Sequence, residues 1–515
     1  MLVSLWVLPS SSFAEAVIGS NGSGAGQHAG PRGVAVDRSE DLLYVADTGN
    51  YRIDVFDATS GEFIKAFGWG VADGTSNELQ VCTDPCFKGI QGNGPGQLSQ
   101  VVGIAVDNDP GSPGHHSIYV FENRNNDTGE ENRRVQKFTP AGEFVWMVGG
   151  DVNKTTSANL CTAASGDTCG AGLKGNEEGQ FNPPGSGNVV AVAPGGTVVV
   201  GDQVKVGLTL QTRLQRFDPS GAYLGQQLIP VSGGAGETTG VAVDSAGNVY
   251  VGTNDETGAV RKYTPSGTEL FTVNPSFNIN AIAVDEEDHL FVSDNTSSPL
   301  DAKEPTSSIR EYSPSGTQLR TFYGSLEARA VGLAPYSTAD GDIFAAEEAL
   351  AGKTGRVLHI PFPPPGPIVY PRAGKTFATA VGSTKATVNA KVNPEGESTT
   401  YRFQYITDEA FQAAGGTFGP GTLETGELGP IGSDFDLHFV EAQLAALFPE
   451  TLYHFRAVAI NASAPAGRPG PAATFETKDP IEMGPVWSVA VDTDSAALHA
   501  EANPFGTAAT ARFES

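Results

Sequence analysis

The chain has 515 residues, with 31 Lys and Arg against 59 Asp and Glu for a formal net charge of −28, and only 17% of it is charged, below the roughly 25% of an average globular protein. Gly at 64 and Pro at 34 make it rich in turns, while 39% hydrophobic residues supply enough apolar content for packed cores and exclude disorder for want of one. The acidity argues against nucleic acid, whose binding needs a basic surface to displace counterions, and no stretch approaches the ~18 apolar residues of a membrane helix.

Residues 1–14 open with an apolar run, Leu2 to Leu8, followed by Ser12-Phe13-Ala14, a small-x-small cleavage pattern, and the first basic residue is Arg32. This segment reads as the remnant of a signal peptide. From residue 15 to 360 an internal repeat organises the chain. Its first element is a small alternating run: GVAVD from Gly33, GIAVD from Gly103, VVAVA from Val189, GVAVD from Gly240, AIAVD from Ala281 and a degenerate AVGLA from Ala330. A second strand rich in β-branched and aromatic residues follows each copy, as in Leu43 to Ala46, Ile118 to Phe121 and Val249 to Gly252. A third strand opens at an arginine: Arg52, Arg134, Arg213, Arg261, Arg310 and Arg356. Turns such as Thr139-Pro140-Ala141-Gly142 and Asp218-Pro219-Ser220-Gly221 then lead into a fourth strand, because Pro presets the second turn position and Gly accepts a left-handed one. The last copy lacks its fourth strand, since Pro361 to Pro367 cannot donate ladder hydrogen bonds. Glu15 to Ile18, before Gly26-Gln27, has the surroundings of an outer strand and is expected to pair with the last copy and close a ring.

Four cysteines fall as two close pairs, Cys82 with Cys86 and Cys161 with Cys169, in Gly-, Asn- and Thr-rich stretches that read as loop. Two local disulfides are the favoured reading. Four cysteines allow three pairings, and a four-thiolate zinc site is the alternative, though its spacing here matches no standard ligand set. Disulfides imply an oxidising compartment and so an extracellular or cell-surface location.

The repeat resembles the NHL-repeat family, whose blades carry a Gly-x-Gly-Gln approach, a G-[IV]-A-V-D strand, a second strand ending near Ala-Asp and an Asn-x-Arg-Ile third strand. The best copy runs from Pro31 to Gly68 and includes Val45-Ala46-Asp47-Thr48-Gly49-Asn50-Tyr51-Arg52-Ile53. The resemblance implies an all-β fold: a six-bladed β-propeller over residues 15–360, closed by its N-terminal strand.

After a Pro-rich linker, 361–367, the pattern changes to longer alternating strands over 368–478. Leu447, Pro449, Thr451 and Tyr453 resemble the corner of a fibronectin type III-like sandwich, in which a Tyr hydroxyl ties a crossover loop. Asn503-Pro504-Phe505-Gly506 and Arg512-Phe513 repeat Asn393-Pro394-Glu395-Gly396 and Arg402-Phe403, so 485–515 reads as the truncated start of a second sandwich.

A four-stranded meander puts the second-to-third and fourth-to-next-first loops at one end of every blade. The two longest insertions, Trp69 to Gln97 and Gly149 to Gln180, project there with their cysteines and form the expected binding face. Asp47, Asn50, Asp202 and Asp294 lie at the same end and are candidates to line the axial mouth as polar-ligand or calcium groups. The competing reading has them cap turns or pair with the neighbouring arginines, Arg52, Arg213 and Arg310. No histidine cluster suits zinc, and no G-x-S-x-G, H-E-x-x-H or complete phosphate loop is present. The expected function is a non-catalytic binding scaffold for a protein or glycan, with the sandwiches as spacers. The alternative is a metal-dependent propeller lyase or hydrolase at the axial mouth.

Overall fold

The structure is a computed structural model that describes residues 16–123, 132–182, 188–206, 209–229, 237–254, 258–275, 278–295, 307–322, 329–337, 342–348, 355–360, 368–369, 376–434, 438–479, 482–489, 492, 495–503, 510 and 512–513. Residues 1–14, read above as a signal-peptide remnant, Glu15 and the linker 361–367 lie outside the described residues. The chain divides into two compact units, Met1–Pro364 and Pro365–Ser515.

Among the described residues the first unit holds six antiparallel sheets of four or five strands, and a two-stranded parallel one, Ser20–Asn21 with Gln27–His28. Each antiparallel sheet begins with one of the small alternating runs: Gly33–Asp37, Val101–Val106, Val190–Ala193, Glu237–Val243, Ile279–Val284 and Ala330–Ser337. The chain then meanders outward, as in Leu42–Asp47, Arg52–Asp57 and Phe63–Trp69 of the first sheet. The Pro-x-Gly turns behave as their composition demands, with φ of 92° at Gly142, 89° at Gly221, 97° at Gly267 and 87° at Gly316.

Successive first strands pack side by side in chain order, and that of the sixth sheet packs against that of the first, so the sheets form a closed β-propeller. One apolar cluster fills each gap between neighbouring sheets. Ala35, Ile53 and Phe67 meet Val101, Ile104 and Phe138 between the first two sheets, and Phe121 and Trp146 meet Val198 and Phe217 in the next gap. Each such fully buried aliphatic or aromatic side chain contributes about 1.5–3 kcal/mol. The ring is tied where the chain ends meet. Ala16–Ile18 pairs antiparallel with Arg356–Ile360, Ile18 opposite Val357, and Ile18 is buried with Val34, Leu43, Phe56 and Val357.

Two features differ from the sequence reading. The sixth inner strand is in register from Gly332, not Ala330: Gly332 pairs with Ala346 as Gly33 pairs with Ala46. A register shift between Ala330 and Gly332 absorbs the difference. The cysteine-bearing stretches are not simple loops either. Leu79–Cys82 and Leu160–Thr162 add a fifth strand to the first and second sheets, covering edges that would otherwise stand open.

The second unit has two facing sheets. Lys385–Asn393 pairs with Phe377–Thr379 and His438–Ala445, and Thr399–Thr407 pairs with Leu452–Asn461 at the centre of the other. Val388, Ala390, Phe403, Val440, Phe455 and Phe475 form the core between them. The Tyr453 hydroxyl accepts the Phe448 N–H at 2.9 Å, and its ring stacks on Phe475. A helix that the strand pattern did not predict, Asp408–Ala413, follows Thr407, whose hydroxyl caps the Ala410 N–H. The stretch identified as the start of a second sandwich contributes a two-stranded sheet, Glu482–Val489 with Ala497–Asn503.

Candidate functional site

The acidic residues singled out from the repeat are buried in the second strands, Asp47 and Asp294 near the strand ends and Asp202 in the middle of Thr197–Val206, and arginines engage all three. Arg52 lies 3.3 Å from Asp47 and 2.8 Å from Asp54, with all three side chains fully buried. Asn50 donates to Asp47 at 2.7 Å, Arg213 meets Asp202 at 2.6 Å and Arg310 meets Asp294 at 2.8 Å. The second and sixth sheets use glutamates instead, Glu122 with Arg134 and Glu347 with Arg356. Burial raises the carboxyl pKa of Asp47 well above its ordinary value and pushes that of Asp202 up to about 6, against the opposing pull of the arginines.

The same arginines clamp the Gly-x-Gly-Gln approach. Arg52 donates to the carbonyls of Gly24 at 2.8 Å and Gln27 at 2.6 Å, and Arg134 and Arg213 reach those of Gln97 and Gln180, each at 2.7 Å. In the first three sheets this geometry makes the repeat motif a fastening between the loop that enters the sheet and the sheet itself. None of Asp47, Asn50, Asp202 and Asp294 lines the axial cavity. Among the described residues, no group of three or more His, Cys, Asp or Glu is placed to hold a metal ion.

Cys82–Cys86 and Cys161–Cys169 are disulfides, and their surroundings are two copies of one construction. Phe87 N–H donates to Val71 and Gly170 N–H to Val152, both at 2.8 Å; Ile90 N–H donates to Trp69 and Leu173 N–H to Gly150. Gly89 N–H reaches Asn50 and Gly172 N–H reaches Asn132, each just before a left-handed residue, Tyr51 at φ 55° and Arg133 at φ 38°. A Cβ on Gly89 would lie 2.6 Å from the Tyr51 carbonyl, and one on Gly172 would press on that of Arg133, so glycine is required at both. The shared sequence is Cys86-x-x-Gly89-Ile90-x-Gly92-Asn93-x-x-Gly96-Gln97 and Cys169-x-x-Gly172-Leu173-x-Gly175-Asn176-x-x-Gly179-Gln180. Varied spacing between the paired cysteines hides this duplication from a search for fixed intervals. The two copies stand on adjacent sheets at the same end and expose Val81, Phe87 and Leu173.

A cavity of about 460 Å³ runs along the ring axis, lined by all six first strands. At the glycine end these strands close together: a Cβ on Gly332 would lie 2.6 Å from the Arg32 carbonyl. At the other end, away from the insertions, the lining comprises Arg38, Asp107, Asp109, Asp244, Asp285 and Glu286. Sequence reasoning placed its candidate mouth at the opposite end. Period-two patterning does not show which end of an inner strand stands farther from its neighbours.

An NHL repeat family model matches residues 29–56, the span holding the first fastening. No curated protein matches the chain. Among solved structures, a gluconolactonase from Xanthomonas campestris is similar at 13% identity and TM-score 0.38, covering 65% of this chain and 87% of that one. A nidogen/laminin complex is similar at 11% identity and TM-score 0.35, covering 59% and 84%. The sensor domain of an anti-sigma factor from Pseudobacteroides cellulosolvens is similar at 16% identity and TM-score 0.16, covering 22% and 92%. Likenesses at this level carry no argument about activity.

Proposed function

We propose that the protein is a non-catalytic binding scaffold, secreted or surface-associated, whose ring is a six-bladed NHL-type propeller over residues 15–360. A protein or glycan ligand meets the insertion-bearing face. The sandwich of residues 368–478, of fibronectin type III type, and the segment 485–515 that repeats its motifs serve as spacers. The observation that carries this reading is the duplicated disulfide-bearing insertion. Two adjacent sheets present the same cross-linked, glycine-anchored construction at one end, which makes a rigid surface at a position where drifting loops would differ. The acidic motif residues do not favour the lyase or hydrolase alternative, because arginines occupy them.

The test is a glycan and protein array probed with the full chain and with a Phe87→Ser, Leu173→Ser double variant. Both residues are exposed, Phe87 at 42% and Leu173 at 56%, so the variant is expected to fold and to lose at least about tenfold in affinity for whatever the wild type captures. Undiminished capture by the variant would place the ligand elsewhere on the molecule.

A further inference from the structure

The axial cavity at the end away from the insertions carries a second, separate inference. Inner strands of a propeller present one edge of backbone groups to the axis, and those groups need partners. Equivalent register places the carbonyls of Val36, Val106, Val192, Val243, Val284 and Pro335 at one level of the ring.

Three of these carbonyls are occupied. Asn108 donates to Val36 O at 2.9 Å while accepting the Arg38 N–H at 2.9 Å. From there the Arg38 side chain crosses the mouth to Pro335 O at 3.4 Å and Val284 O at 3.3 Å. Glu286 stands 3.9 Å from its guanidinium. One half of the ring is thus filled by a tethered cation. The other half, at Val106, Val192 and Val243, receives no donor from any described side chain, and Asp107, Asp109 and Asp244 rim it. Deeper in the same cavity, Asn188 is 8% exposed and its Oδ1 has no hydrogen-bond donor. The three carboxylates already have partners, Asp107 in Ser112, Asp109 in the Gly111 and Gly195 N–H groups and Asp244 in Lys262 and Asn248, so it is the carbonyls that lack donors; an anion entering here would meet only oxygens, whereas an N–H-rich cation would satisfy the carbonyls beside that acidic rim.

We propose that this half-ring is a binding site for a small aliphatic ammonium, with a diamine as the fitting class, in which the ligand's N–H groups do for the second, third and fourth sheets what Arg38 does for the fifth and sixth. Ser245 holds in the fourth sheet the position that Arg38 holds in the first, directly after the strand's closing aspartate.

The experiment titrates the full chain with 1,4-diaminobutane by calorimetry in 0.15 M salt, with hexanoate as the anionic control. The expected result is saturable binding of one diamine per chain and none of hexanoate. Ser245→Arg, which supplies a second tethered guanidinium, is expected to weaken diamine binding at least about tenfold, the loss of one charge-assisted contact. Should Ser245→Arg not fold, Asn188→Leu serves in its place and is expected to weaken binding by about threefold or more. Arg38→Met, which keeps the aliphatic stem and frees two carbonyls, is expected to raise the stoichiometry or tighten binding. Absence of saturable binding, uptake of hexanoate, or identical diamine affinity in wild type and the plugging variant would overturn the proposal. Diffuse attraction to a chain of net charge −28 gives that last outcome, because it does not depend on one half-ring.

Discussion

At the residue scale, the chemistry of this protein is dominated by charges taken out of water and satisfied internally. Arg134 is fully buried against Glu122 and donates to the carbonyls of Gly94 and Gln97. Removing it would leave a buried carboxylate and a loop without its fastening. Arg134→Met is therefore expected to cost about 3–5 kcal/mol, read as a fall in the urea midpoint at unchanged slope. Asp202 supplies a pH dependence. Its folded pKa, about 6, stands above its ordinary value because burial outweighs Arg213, so the folded state holds a proton that the unfolded state has released between about pH 4 and 6. The contribution of this group is full below that window and is lost as pH rises through it. Thermal melts of wild type and Asp202→Asn should converge or cross across pH 4 to 6, the wild type losing stability relative to the variant; parallel curves would contradict the burial argument. The arginine-to-carboxylate pairing was legible as one of two readings, because the residue types recur in order. Which reading held depended on where the side chains lie relative to the axis, and residue order is silent on that.

At the element scale, two devices hold the ring. The N-terminal strand supplies the outer edge of the sixth sheet, and Ile18 is buried in the cluster between the sixth and first sheets. Deleting residues 15–18 is expected to lower the unfolding midpoint by at least about 5 °C, the equivalent of about 3 to 4 kcal/mol for a unit of this size; an unchanged midpoint would show that the ring does not depend on this pairing. The Pro-x-Gly turns are the second device, for they also latch neighbouring sheets. Lys65 donates to Pro140 O at 2.6 Å, Lys137 to Pro219 O at 2.8 Å and Lys262 to Pro314 O at 3.2 Å. Their turn role was visible in composition, whereas the latch depends on the next sheet and was not. The disulfides hold the fifth strands rather than the ring. Reductant should therefore raise hydrogen exchange in residues 79–90 and 160–173 well above that of the inner strands. Equal protection with and without reductant would show that the added strands stand without their cross-links.

At the scale of the whole molecule, the two ends of the propeller axis offer different surfaces. One carries paired, cross-linked insertions on adjacent sheets; the other carries a mouth rimmed by carboxylates and crossed by Arg38. The scaffold reading expects elemental analysis of the purified chain to find no stoichiometric, tightly held calcium or zinc. One equivalent that survives dialysis against chelator would move the metal-dependent alternative ahead.

The sequence by itself determined the repeated strand meander, the Pro-x-Gly hairpins, the strand that joins the last sheet and the change of pattern near residue 365, because each is written in local periodicity and turn chemistry. Tertiary structure decided the rest. The register of the sixth inner strand follows from a local bulge, and the fifth strands follow from open edges that a returning chain can cover. The axial cavity and its half-filled ring of carbonyls exist only when six inner strands are brought round one axis, since backbone groups carry no signature in the order of side chains.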